Sequence, residues 1–226
     1  MQLKSIVKGI AAIGIAAAFA TPALATDSFK VTGFTHGSQA VTIKDTNPST
    51  GGAHTYGAGE VSVTWNGKTF DAFCGDIYQT ISFGTVYTNE YTYMTTTARY
   101  GATAAADLGR LWSAWNADQN ASSTKTAAFQ LAVWEIVNEN TNPVPGFAYD
   151  LGTGEFTATS GAAGVISQAQ FYLNNLGSGT AQLGVAASRY HQDFLVPVPE
   201  PETYAMMLAG LGLMGVVARR RTRVAA

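Results

Sequence analysis

Cysteine is nearly missing: the 226-residue chain contains one, Cys74, so no disulfide can close within it. Charge is also sparse. Asp, Glu, Lys and Arg make up 12% of residues, with 13 basic against 15 acidic side chains and a formal net charge of −2. No basic patch stands outside the C-terminal arginines, which excludes a nucleic-acid-binding surface. Three histidines, His36, His54 and His191, lie far apart with no His-x-x-x-His or carboxylate-flanked spacing, so neither a zinc site nor a cofactor is expected. No apolar run reaches the roughly 20 residues of a full bilayer span. Internal repeats of 20–50 residues are absent as well.

The two ends carry addresses. Lys4 and Lys8 precede an apolar stretch from Gly9 to Ala20 and a small-x-small ending at Ala23-Leu24-Ala25, the pattern of a cleavable secretory signal peptide over residues 1–25. At the other end, a linker at 197–202 holds Pro199, Glu200 and Pro201. An almost uncharged segment at 203–218 follows, then a basic tail at 219–226 with Arg219, Arg220, Arg221 and Arg223. Arginines retained on the cytoplasmic side would leave the domain outside. A span this short, carrying Gly210, Gly212 and Gly215, suits a transient transmembrane anchor. The order Pro-Glu-Pro, apolar span, arginine cluster resembles the PEP-CTERM sorting tail of Gram-negative, exopolysaccharide-producing bacteria. That resemblance implies an exosortase-type enzyme as processing partner, and a final location at the cell surface or in the extracellular matrix.

Between the ends, residues 26–196 suffice for one domain with a real core. Apolar and polar residues alternate over Phe29–Phe34, Ala40–Lys44, Glu60–Trp65 and Lys68–Phe73, and Asn66-Gly67 between the last two signals a hairpin ending at Cys74. Thr85–Met94, rich in β-branched and aromatic residues, reads as one more β run. Leu108, Leu111, Trp112 and Trp115 recur at helical spacing. A second helix opens at Ser123 or Thr124 and runs through Val137 until Asn142-Pro143-Val144-Pro145-Gly146 stops it. A third helix is expected over Ala162–Leu176, a closing strand over Tyr190–Val196, and a loop over the Gly-rich 51–59. The fold class is α+β, mostly antiparallel β with a helical insertion. Asp71, Glu135 and Glu139 read as solvated carboxylates; Asp76 reads as an exposed loop carboxylate or, alternatively, as one that orients the turn by accepting a backbone hydrogen bond.

A lone cysteine in an exported chain reads most simply as a buried, inert thiol. Phe73-Cys74-Gly75-Asp76, taken with Phe129-Gln130-Leu131-Ala132-Val133-Trp134-Glu135, opens a second reading. An aromatic-Cys strand end matched by a later helical Gln-x-Ala-aliphatic-Trp segment resembles the thioester domains of bacterial surface adhesins. The resemblance implies a Cys74–Gln130 thioester, attack by the sulfur on the Gln130 amide carbon with loss of ammonia, and no turnover as an enzyme. Its partner would be an amine or hydroxyl on a surface or exopolysaccharide. Phe73, Phe129 and Trp134 are the expected pocket walls, Gln130 and Trp134 sharing a helix face. A structural, exopolysaccharide-associated protein with a free Cys74 is the alternative. A papain-like use of Cys74 with His191 as base lacks any local sequence in its favour.

Overall fold

A computed structural model describes residues 27–45, 52–116, 121–139 and 149–198. The signal peptide, the proline stop after the second helix, Pro199, Glu200, Pro201 and everything beyond lie outside the described residues.

The chain begins with β1 (Ser28–Phe34), β2 (Gln39–Asp45) and β3 (Gly52–Ala58), continues through the hairpin β4 (Val61–Trp65) and β5 (Lys68–Cys74), then β6 (Val86–Thr88) and β7 (Tyr91–Thr95). Helices α1 (Thr96–Tyr100), α2 (Ala102–Asn116) and α3 (Ser123–Glu139) follow, then β8 (Phe156–Gly161), α4 (Val165–Asn174), β9 (Leu183–Ser188) and β10 (Phe194–Pro197). Seven strands form one sheet in the order β6-β1-β4-β5-β10-β9-β7, and three form a second in the order β3-β2-β8. Every pairing is antiparallel. The α+β expectation, mostly antiparallel β in a single globular domain, is what the structure shows.

Local chemistry explains the turns. Asn66 (φ 51°) and Gly67 (φ 78°) both adopt positive φ, as a two-residue hairpin with right-handed twist demands, and the Asn66 side chain accepts a hydrogen bond from Ser28 N–H. A second positive-φ asparagine, Asn89 (φ 57°), splits the expected run Thr85–Met94 into β6 and β7, which therefore pair with β1 and β9 at opposite edges of the sheet. Residues 52–58, expected as a loop, instead pair with β2 along their whole length, from Gly52↔Asp45 to Ala58↔Gln39. The closing strand starts at Phe194 and not at Tyr190, because Asp193 just before it is drawn inward.

Helix α3 organises the interior. Every residue from Thr126 to Ile136 is buried, so the helix has no solvated face over that stretch. It touches β5 of the large sheet, β2, β3 and β8 of the small one, and both α2 and α4. It is thus the central rod of the domain and not a peripheral insertion. Phe73, Phe129, Trp112 and Trp115 meet beside it, with Phe73 and Phe129 ring centroids 4.4 Å apart and both tryptophans 5.9 Å from Phe73. Side chains of this size contribute about 2–3 kcal/mol each on burial.

Enclosure of α3 overturns one reading from sequence. Glu135 is fully buried, not solvated: one carboxylate oxygen accepts the Asp150 N–H at 3.0 Å, while the other has no partner among the described residues. Burial, then the charges of Glu139 and Asp150, push its pKa up to about 8. Glu139, half-buried one turn further on, accepts the Phe156 N–H at 2.5 Å. A raised carboxyl pKa means the unfolded chain loses its proton first. The stability Glu135 contributes is therefore complete below the ordinary glutamate range and is lost as pH rises through about 8. Glu135→Gln keeps the shape and removes the charge. Its melting temperature should match wild type near pH 4.5 and exceed it increasingly up to pH 8 to 9, a difference read directly by thermal melts across that range.

Candidate functional site: the Cys74–Gln130 junction

Cys74 ends β5, where the sheet changes partners. On one side β5 pairs with β10, with Cys74 opposite Phe194, and the Gly75 N–H donates to the Asp193 C=O at 2.7 Å. Successive residues of a strand direct their backbone groups to opposite edges. The N–H and C=O of Cys74 therefore point to the other edge, towards β4. But pairing between β4 and β5 ends at Val61↔Ala72. The Gln130 carboxamide fills the gap: the Cys74 N–H donates to Gln130 Oε1 at 2.8 Å, and Gln130 Nε2 donates to the Cys74 C=O at 2.8 Å. A helix side chain thus completes the strand's ladder as a missing strand would.

Both residues are shielded, Gln130 completely and Cys74 to within 8%. Burial, then the nearby Asp76 charge, push the Cys74 thiol far above its ordinary pKa, so it rests as a protonated thiol. Phe73 and Phe129 pack on each other next to the junction, while Trp134, one turn beyond Gln130, lies against Tyr56 with ring centroids 6.0 Å apart. Tyr56 in turn donates its hydroxyl to the Ile77 C=O. The structure thus brings Cys74 and Gln130 together and sets two of the three expected wall residues in the aromatic core and the third against Tyr56, whose hydroxyl reaches the segment that follows Cys74.

That segment is held by carboxylates. Asp76, expected as an exposed loop residue or as one that orients the turn, is 7% exposed and accepts the Tyr78, Gln79 and Asp193 N–H groups at 3.1, 3.0 and 2.7 Å. Burial raises its pKa, against the pull of those three N–H donors. Asp193, fully buried, accepts the Ser188 N–H at 2.8 Å and pairs with Arg99 Nε at 2.5 Å. Tyr100 donates its hydroxyl to the Gly75 C=O, and a Cβ at Gly75 would lie 2.2 Å from that oxygen. Glycine after Cys74 is therefore a steric requirement of this cradle. His191, the candidate base, bonds instead to Glu90 at 2.8 Å and packs at a tilt against Tyr87. Among the described residues no group of three or more His, Cys, Asp or Glu could hold a metal ion, and no helix is long and apolar enough to cross a membrane.

Both polar ends of the Gln130 carboxamide are fixed by the Cys74 backbone. Oε1 of Gln130 already lies on a backbone N–H, so charge developing there in an attack on the amide carbon would meet a fixed donor. The nitrogen that would leave is held by the Cys74 carbonyl.

Residues 197–221 match the PEP-CTERM protein-sorting motif. This sorting signal marks the chain as exported, exosortase-processed and transiently anchored to the membrane through its C-terminal segment. The PEP-CTERM match begins at the last residue of β10, so the signal starts where the sheet ends. No curated protein and no solved structure matches the chain.

Proposed function

We propose that this exported, exosortase-sorted protein carries an internal thioester between Cys74 and Gln130 and acts by one covalent attachment to an amine or hydroxyl on a partner surface. The observation that supports this reading is the reciprocal pairing of the Gln130 carboxamide with the Cys74 backbone, which lays the amide carbon beside the residue bearing the thiol. The step balances without a cofactor. The thiol sulfur bonds to the Gln130 amide carbon, the C–N bond breaks, and the thiol proton leaves with the amide nitrogen as ammonia. A partner amine or hydroxyl then bonds to the Gln130 acyl carbon, the C–S bond breaks, and the nucleophile's proton passes to the sulfur to return the thiol. Each molecule reacts once, which is attachment and not turnover. Intact mass before and after methylamine tests it.

A second reading has its own observation. The same two hydrogen bonds satisfy the Cys74 backbone with no covalent bond, so Gln130 can serve as a ladder cap under a free, inert thiol in a structural, exopolysaccharide-associated protein. Full sequence mass and a Cys74 that titrates after unfolding would select it.

Sorting carries a structural expectation. β10 lies between β5 and β9, inside the sheet, and ends at Pro197. A chain ended after Val198 should melt at the temperature of the full-length domain. One ended after Gln192 loses buried Phe194, Leu195 and Val196 at about 2–5 kcal/mol each, enough to exhaust a total stability of about 5–15 kcal/mol. Circular dichroism of the two truncations decides it: a folded 192-residue form would show that β10 is dispensable.

A further inference from the structure

Beyond the Cys74–Gln130 junction, a cleft of about 550 Å³ opens between β7, the end of β9, α1 and the turn after β5, with Asp76 at its base. Its charges are sorted by depth. Both carboxylates of the region, Asp76 and Asp193, are buried, and their oxygens are taken up by backbone N–H groups and Arg99 Nε. What remains towards solvent is donor-rich. Arg99 spends only its Nε on Asp193, with its side chain 41% exposed, and Arg189 has neither ion pair nor hydrogen bond to its guanidinium among the described residues, only the face of Tyr190. Two guanidiniums with free planar edges fit a carboxylate.

The rest of the lining is suited to a hydroxylated ring. Gln79 donates through Nε2 to the Arg189 C=O, which leaves its carbonyl oxygen open as an acceptor. The Ser188 hydroxyl accepts from Tyr190 and His191 N–H and keeps its own proton to donate. Met94 and Ala187 supply an apolar wall. We propose that this cleft binds a carboxylate-bearing sugar of the uronate class, the carboxylate seated between Arg99 and Arg189 and the ring hydroxyls on Gln79 and Ser188. The assignment is independent of the thioester, since none of these groups belongs to the Cys74–Gln130 pair.

Binding of sodium glucuronate, glucose, inorganic phosphate and an alanyl-alanine dipeptide to the full-length protein, read by amide and side-chain NMR shifts, tests the proposal. Saturable shifts at Arg189, Gln79 and Ser188 with glucuronate and none with glucose are expected. Arg189→Ala, an exposed change that leaves the Arg99–Asp193 pair intact, should weaken glucuronate about tenfold, and Arg189→Lys should recover only part of that. Cys74→Ala should bind glucuronate like wild type, so this result stands apart from the fate of the thioester. Phosphate or the dipeptide binding as tightly as glucuronate, no saturation by glucuronate, or saturation that Arg189→Ala leaves unchanged would each overturn the assignment.

Discussion

Purified, folded protein should weigh one ammonia less than its processed sequence and resist thiol reagents, and methylamine should restore reactivity while leaving a methylamide on Gln130. The expectation follows from a thiol with no disulfide partner, on the residue whose backbone N–H and C=O hold the Gln130 amide. Two variants separate chemistry from architecture. Cys74→Ser keeps the backbone N–H and C=O that Gln130 engages, so the fold should persist with little change in melting temperature while the mass deficit disappears. Gln130→Ala removes the deficit too, but strands a buried donor and a buried acceptor of Cys74 at about 1–3 kcal/mol each. It should melt well below wild type. The asymmetry arises because both residues are in the interior and only Gln130 completes a ladder. A Cys74→Ser variant of unchanged mass relative to its own sequence beside a wild type showing no deficit would reject the bond and leave the ladder cap.

What could be read beforehand follows from how each signal is encoded. The hairpin at Asn66-Gly67 and the helices carrying Trp112 and Gln130 announce themselves in short windows, because turn chemistry and periodicity are local. Strands β3, β8 and β9 are rich in glycine, alanine, serine and threonine, carry at most two large residues each, and gain their place by pairing with distant segments. Pairing Cys74 with Gln130 rested on motif resemblance, while the reason their contact is possible, the departure of β4 from β5 at Ala72, is visible only in the register. Glu135 reads as solvated because a carboxylate on a helix is ordinarily at the surface, whereas α3 is buried on every side from Thr126 to Ile136. Asp193 carries no signal in the sequence and Asp76 only a weak one for a different reason: their partners are mainly backbone N–H groups, and the two residues meet across 117 positions of chain.

Those two carboxylates underlie the second large effect. Arg99→Ala should destabilise the domain more than Asp193→Ala, although each breaks the same ion pair. Removing the arginine leaves the fully buried Asp193 with the Ser188 N–H as its remaining donor, and an unpaired buried charge costs about 3–5 kcal/mol. Removing the aspartate frees a guanidinium that is 41% exposed and can turn to water, so the loss is mainly the Ser188 contact and packing, about 1–3 kcal/mol. In a domain of this size each kcal/mol moves the melting temperature by about 2–4 °C, which separates the two variants clearly. The double variant should lie close to Asp193→Ala alone, since the stranded charge is then gone. Both replacements disturb the side chain of the residue whose backbone holds Gly75 and Asp76. Under the proposed chemistry they should slow ammonia loss during refolding while leaving its final extent unchanged, followed by mass against time. Equal destabilisation by the two single variants would mean that the buried Asp193 carboxylate, left without Arg99, costs the fold nothing beyond the lost ion pair.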